Sequence, residues 1–173
     1  MTVPQKKLRE VVLQLLYCKD VNDLEEETIV PFIMTELSIT RKSVLGSMER
    51  VCQITKRRGD IDLFIKNISE SYKFERIQRI ERSILRLGVY ELLYDENIPP
   101  KVAIAESMRL ARKFTTPEAA NFINALVDGI YKESQGEILN KKVLSKTLEK
   151  LEQSENLAKE AARSACKEKK SNV

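Results

Sequence analysis

The sequence contains no histidine among its 173 residues, and this absence excludes several kinds of chemistry. Triads, general bases and metal sites that depend on histidine are ruled out. The chain also has no Cys-x-x-Cys pair, no glycine-rich phosphate loop, and no His-Glu-x-x-His or EF-hand spacing. We therefore expect a protein that is not an enzyme and that uses neither a cofactor nor a metal.

Glycine, proline and cysteine are scarce, at five, five and three residues, and tryptophan is absent. The glycines and prolines fall mostly at apparent helix ends, and no run of alternating apolar residues predicts a strand. There is no recognisable signal peptide, and no apolar run is long enough to span a bilayer. These features predict an all-α protein of the cytoplasm, with reduced thiols.

Positive charge is concentrated at the C-terminus. Residues 141–173 hold nine Lys or Arg and five Glu, whereas residues 1–140 hold 21 charges of each sign. We therefore predict two regions, a helical domain over 1–134 and a charged, basic, partly helical or disordered tail over 135–173. A weak apolar seam in the tail is interrupted by Glu155, so we favour a solvated tail over a docked helix. A nucleic-acid site in 1–140 would have to come from local clusters of charge.

The stretch 81–114 predicts a helical hairpin around which the other helices pack. Apolar residues recur at helical spacing before it and through its first half, at Ile77, Ile80, Ile84, Leu87, Gly88 and Leu92. Asp95 to Asn97 predict a turn, and Pro99-Pro100 end one helix and begin the next. Two long helices joined by a short turn form an antiparallel pair.

Residues typical of helix ends predict the remaining helices, about seven in all before the tail. Helices are expected over 4–18 and 31–37, the second anchored in part by Phe32. Thr40 is a candidate N-cap of the third helix, whose inward residues would include Leu45 and Cys52. Three further signals follow: Gly59 as a left-handed C-terminal cap, Asp60 as the next N-cap with Phe64 buried after it, and Thr116-Pro117-Glu118 at the start of the last helix.

Three basic residues, Lys6, Lys7 and Arg9, crowd the first turns of the first helix. Cations are unfavourable there, because the N-terminal end of the helix dipole is itself positive. An external anion would explain them, and a solvated charged face is the alternative. Their charge alone leaves both interpretations open.

Four segments of the chain together resemble the NusB family of bacterial transcription antitermination factors over about residues 5–132. In chain order they are KKLREVVLQLLY, ERSILRLGVYELLY, IPPKVAIAESMRLARKF and NFINALVDGI. The resemblance implies two three-helix bundles packed across each other, with the first helix contributing to an RNA surface. It also implies binding to boxA elements of nascent ribosomal RNA, a partner in the ribosomal protein NusE, and action on elongating RNA polymerase.

The resemblance also assigns roles to individual positions. The basic opening of the family falls on Lys6, Lys7 and Arg9, an acidic position on Glu118, and an RNA-facing aromatic on Phe122, beside Asn121. Independently, single-stranded RNA is bound by cations and aromatic rings, which adds Lys101 and Lys113 as candidates. Helical spacing alone would equally place Phe122 in the core.

The resemblance places two carboxylates, Glu75 and Glu81, against NusE. Glu81 lies one position off the apolar stripe of its helix, so we expect it to face solvent or a partner. Two other functions remain open. The chain could be a protein-interaction module with little RNA binding of its own, or a detached RNA-binding domain that works with an rRNA methyltransferase.

Overall fold

A computed structural model describes residues 3–21, 26–69, 72–137 and 141–171. Within these ranges the chain forms eight α-helices and one short 3-10 helix, with no strand, which confirms the all-α prediction. None of the described helices is both long and apolar enough to cross a membrane. The helices are α1 Gln5–Val21, α2 Glu26–Leu37, α3 Arg41–Lys56, α4 Arg58–Ile68, the 3-10 helix Phe74–Arg76, α5 Arg79–Leu93, α6 Pro100–Phe114, α7 Pro117–Ser134 and α8 Lys141–Ser171.

Helix α5 lies at the centre of the fold, where it contacts α1, α3, α4, α6 and α7. Every residue from Ser83 to Glu91 is buried, so this helix is enclosed on nearly all sides. Helices α1 and α2 each contact α3 and form one group with it, and α4 and α6 each contact α7 and form a second group with it. The hairpin of α5 and α6 turns at Pro99 and Pro100, as the sequence predicts.

The predicted ends of the helices are partly confirmed. Thr40 and Thr116 each accept a hydrogen bond from the backbone N–H three residues on, at 3.3 Å, and so act as N-caps. The prediction at Gly59 is wrong, because α4 already begins at Arg58 and Gly59 lies inside its first turn. Arg57 both ends α3 and precedes α4 with φ −97° and ψ 6°. The chain therefore bends without a left-handed residue, and Asp60 is not an N-cap.

Several apolar side chains expected inward lie at the surface. Phe32 is 63% exposed, Phe64 36% and Leu45 39%, and Cys52 is also exposed. The reason is geometric, since a peripheral helix buries only a narrow stripe. In α4 that stripe is filled by Ile61, Ile65 and Ile68, all buried.

The first half of α8 is docked on α7, so the expectation of a solvated tail is wrong there. Leu144, Leu148 and Leu151 form a stripe one and two turns apart and are 9%, 5% and 3% exposed. The following stretch, 157–165, is exposed, with Leu157 at 67%. The helix thus begins as part of the domain and then extends away from its core.

Candidate nucleic-acid and partner interface

Glu10 holds the start of α1 against the end of α6. Its carboxylate accepts hydrogen bonds from Arg109 Nη1 at 2.6 Å and from Lys113 Nζ at 2.7 Å. Arg109 Nη2 also donates to the backbone oxygen of Lys6 at 3.1 Å. Burial opposes ionisation of Glu10, but the hydrogen bonds from Lys113 and Arg109 outweigh it and lower its pKa. Two segments that lie far apart in the chain therefore share one surface.

This surface carries three exposed cations, Lys6, Arg112 and Lys113, which we call the α1–α6 basic cluster. Lys113 remains half-exposed despite its bond to Glu10, and its ammonium lies 5.3 Å from the ring centre of Phe114. Neither Lys6 nor Arg112 has an ion pair with another described side chain. The cluster therefore combines two cations without an ion pair, Lys6 and Arg112, with a third, Lys113, that lies beside an aromatic ring.

Lys7 and Arg9 have internal partners. Lys7 Nζ donates to the carbonyl oxygen of Leu37 at 2.5 Å and so satisfies the C-terminal end of α2. Arg9 Nε donates to both carboxylate oxygens of Glu91, at 2.8 and 3.0 Å, and its Nη1 lies 3.7 Å from Glu106. An external anion is not needed to explain either side chain. Of the three bases at the start of α1, only Lys6 has a cationic group without such a partner in the described part of the chain.

The start of α7 follows α6 after a connection of two residues, Thr115 and Thr116. Glu118 lies in the first turn, half-buried, and Asn121 is exposed one turn later. Phe122 is fully buried, and its ring centre lies 5.4 Å from that of Tyr72. The expectation of an RNA-facing ring is therefore not met, because a ring without exposed surface cannot stack on a base.

Lys101 is exposed at the opposite end of α6. It lies twelve residues before Lys113, about 18 Å along a helix that rises 1.5 Å per residue. The structure therefore does not bring Lys101 into the α1–α6 basic cluster. Its predicted contact with RNA would need a ligand that runs along the length of α6.

The two carboxylates predicted to face a partner differ sharply. Glu75 is exposed in the 3-10 helix, whereas Glu81 is only 5% exposed, so its predicted exposure is wrong. Glu81 turns back and accepts the backbone N–H of Gln78 at 3.2 Å, forming a capping box at the start of α5. Burial raises its pKa, the bond from Gln78 opposes this shift, and the charge of Glu155 adds to it.

Sequence reasoning missed Glu10 and Arg109, the pair that assembles the basic cluster, and it left Arg112 out of the site. Glu10 and Arg109 are 99 residues apart, so no local spacing links them. Arg112 could have been included, since its position beside Lys113 near the end of α6 is visible in the sequence.

Comparison with known proteins agrees with this architecture. The model of the NusB family matches residues 6–132. The transcription antitermination protein NusB of Chlamydia pneumoniae is 34% identical over 142 residues, covering 82% of this chain and 87% of that protein. The NusB of a Nitratiruptor species is 38% identical over 125 residues, covering 72% and 89% of the two chains.

Solved structures show the same fold. T. maritima NusB superposes with a TM-score of 0.67 at 27% identity, covering 84% of this chain and 99% of its own. A chain from the crystal structure of antitermination factors NusB and NusE in complex with double-stranded RNA gives 0.64 at 23% identity, covering 75% and 96%. Helix α8 begins after the matched residues. The four sequence segments, the helical architecture and these matches agree, and the chain belongs to the NusB family of transcription antitermination proteins.

Proposed function

We propose that this protein is an RNA-binding antitermination factor that binds boxA-type, single-stranded RNA in nascent ribosomal transcripts. It would act in the cytoplasm on elongating RNA polymerase, together with a NusE-type partner. Membership of the NusB family supports this function. The structural observation that carries it is the α1–α6 basic cluster, which Glu10 assembles from two distant segments.

The cluster has the chemistry that single-stranded RNA requires. Ammonium groups attract the backbone phosphates, and a guanidinium such as that of Arg112 can also stack on an unpaired base. Asn121, exposed near the start of α7, supplies an amide that could hydrogen-bond to a base edge. Phosphate contacts would thus come mainly from α1 and α6, and base contacts from α6 and α7.

We further propose that the protein acts by binding alone, without catalysis. A chain without histidine lacks the side chain most often used for proton transfer near neutral pH. Two of the buried carboxylates also have structural roles, since Glu81 caps α5 and Glu91 pairs with Arg9.

We place the partner around Glu75 and the start of α5. A relative of this fold has been crystallised with NusE and RNA together, which is the assembly we propose for this chain. Glu75 is exposed and can pair with a cation of the partner. Glu81 would contribute through the capped helix start that it stabilises.

The test is a titration of the full chain with boxA-type RNA over a series of salt concentrations. Lys6→Gln should weaken binding and reduce the slope of log affinity against log salt by about 0.7, the value for one phosphate contact on a single strand. Lys146→Gln on α8 makes the same change of charge at an exposed site outside the cluster and should leave the slope unchanged. Equal slopes for Lys6→Gln and the wild type would remove Lys6 from the interface.

A second candidate is a protein-interaction module with little RNA affinity. The observation in its favour is that Lys7, Arg9 and Lys113 all bond to groups within the chain. This candidate predicts that NusE is captured normally, that RNA binding is weak, and that Lys6→Gln does not change the RNA affinity. The same titration, run beside a NusE capture assay, separates the two functions.

A further inference from the structure

Helix α8 makes a polar contact with the segment between α4 and α5. The hydroxyl of Tyr72 donates to Glu155 Oε1 at 2.7 Å. Arg76 donates from Nη1 to Glu152 Oε1 at 2.7 Å and from Nη2 to Glu155 Oε2 at 3.3 Å. These four residues, Tyr72, Arg76, Glu152 and Glu155, we call the α8 latch.

The latch lies where α8 changes from a docked to an exposed helix. Leu148 and Leu151 are buried on the side facing α7, and Glu155 continues the same stripe one turn later. Its side chain is only 16% exposed, whereas Leu157, two residues on, is 67% exposed. Glu155, which interrupts the apolar seam of the sequence, is therefore the last anchor of the docked half.

The latch also borders the face proposed for the partner. Arg76 follows Glu75 directly in the 3-10 helix. Glu155 is close enough to Glu81 for its charge to raise the pKa of that carboxyl, and Glu81 in turn acts on Tyr72. Glu75 is therefore adjacent to the latch in the chain, and Glu81 is close enough to the latch for their charges to influence each other.

The outer ion pair of the latch, between Arg76 and Glu152, is weak enough to release. Arg76 and Glu152 are 41% and 43% exposed, and exposed pairs contribute little because water and salt screen them. Once released, the hydroxyl of Tyr72 and the guanidinium of Arg76 could donate to carboxylates or carbonyls of another protein. The three leucines can meanwhile keep the first turns of α8 on α7.

We propose that the α8 latch occupies part of the partner face, so that latch closure and binding of the NusE-type partner exclude each other. The inference rests on the proposed function, because it assumes that the partner binds around Glu75 and Glu81. Helix α8, which lies beyond the part of the chain matched by the NusB family, would then regulate assembly. The partner must present acceptors that replace those of Glu152 and Glu155.

The test compares NusE capture by the full-length wild type and by the double variant Glu152→Gln/Glu155→Gln. Weakening the latch should tighten capture about two- to fivefold, the range by which one exposed ion pair shifts an equilibrium. Glu149→Gln removes one carboxylate charge from an exposed position of α8, without an ion pair among the described residues, and should leave capture unchanged. Hydrogen exchange of the wild-type amides over 152–157 should become faster when NusE is added.

Unchanged or weaker capture by the double variant would overturn the proposal, as would NusE binding that leaves exchange in α8 unchanged or slower. The exchange measurement uses only the wild type, so it decides even if the double variant loses the structure of α8. Absence of capture by every variant would refute the proposed partner role, and the latch proposal with it. If only the latch proposal is wrong, the wild type still captures NusE and binds RNA, which distinguishes this outcome from failure of the proposed function.

Discussion

Arg9 Nε donates to both oxygens of Glu91, across 82 residues of sequence, and joins α1 to the last turn of α5. The side chain of Glu91 is 3% exposed and that of Arg9 11%, so the pair lies almost out of water. Burial raises the pKa of Glu91, and the charge and hydrogen bond of Arg9 oppose that shift. A residue of the basic opening therefore serves the junction between the two groups of helices.

Removal of Arg9 should leave a buried carboxylate without its cation. We predict that Arg9→Ala lowers the free energy of unfolding at pH 7 by about 3 kcal/mol, the lower end of the range for breaking a buried pair. Arg112→Ala, at an exposed arginine without an ion pair among the described residues, should cost much less. Denaturant unfolding of both variants measures the difference, and equal losses would contradict a structural role for Arg9.

The effect of Arg9→Ala should depend on pH. Because its pKa is raised in the folded state, Glu91 favours folding when protonated, and this contribution is lost as pH rises through the raised value. Without Arg9 the pKa should rise further, which increases the penalty at pH 7. The deficit of the variant should therefore shrink as the pH falls toward the ordinary value of 4.5. Unfolding curves at pH 5 and pH 7 test this, and a deficit that is constant or grows in acid would refute it.

Gly88 on α5 faces Ser107 on α6, and the two helices approach closely there. A Cβ at Gly88 would overlap the Ser107 hydroxyl, which is held by a 2.8 Å bond to the carbonyl oxygen of Ala103. We predict that Gly88→Ala costs about 1–3 kcal/mol of stability, as overpacking does. Gly46→Ala, in α3 with open space around its Cβ, should instead stabilise by about 0.5–1 kcal/mol. If denaturant unfolding shows that both substitutions stabilise the protein, helix propensity and not contact decides both effects.

Glu81 combines a capping role with an unfavourable charge. Glu81→Gln keeps an oxygen for the Gln78 N–H and removes the buried charge, so stability at pH 7 should be unchanged or higher. Any advantage of the glutamine should vanish as pH falls toward 4.5, where protonation neutralises Glu81. Glu81→Ala loses the cap and should cost about 1 kcal/mol. Thermal melts of the three proteins at pH 5 and 7 provide the comparison, and a glutamine variant as unstable as the alanine one would reject this account.

Some features of this fold could be predicted from a few neighbouring residues of the sequence, and others could not. Thr40, Thr116 and the Pro99-Pro100 turn could be predicted, because a cap or a proline acts within its own few residues. Whether a side chain points into the core or toward solvent could not be predicted, because it depends on which residues a helix distant in the sequence places beside it. Lys6 and Arg9 look alike in the sequence, yet only Arg9 meets a buried carboxylate, on α5. Likewise Glu155 breaks an apolar pattern, and only the position of Tyr72 explains why.

The carboxylate of Glu118 stabilises the start of α7 but would repel a nearby RNA phosphate. A carboxylate in the first turn of a helix contributes about 0.3–1 kcal/mol, so Glu118→Gln should lower the melting temperature slightly. The same change should tighten RNA binding, and more so at low salt, because ions screen the repulsion that is removed. Glu133→Gln, in the last turn of α7, should not weaken the helix and should leave RNA affinity unchanged. RNA affinity that stays constant or falls in Glu118→Gln would place the RNA track elsewhere.

The function proposed for this protein is binding of boxA-type RNA together with a NusE-type partner. The most direct measurement is the affinity of the full chain for a short boxA-type RNA and for a scrambled RNA of the same composition, over a salt series, with and without NusE. We predict tighter binding of the boxA-type RNA, further tightened by NusE, with an affinity that falls as salt rises. Equal affinity for the two RNAs in the presence of NusE, or no RNA binding at low salt, would contradict the account.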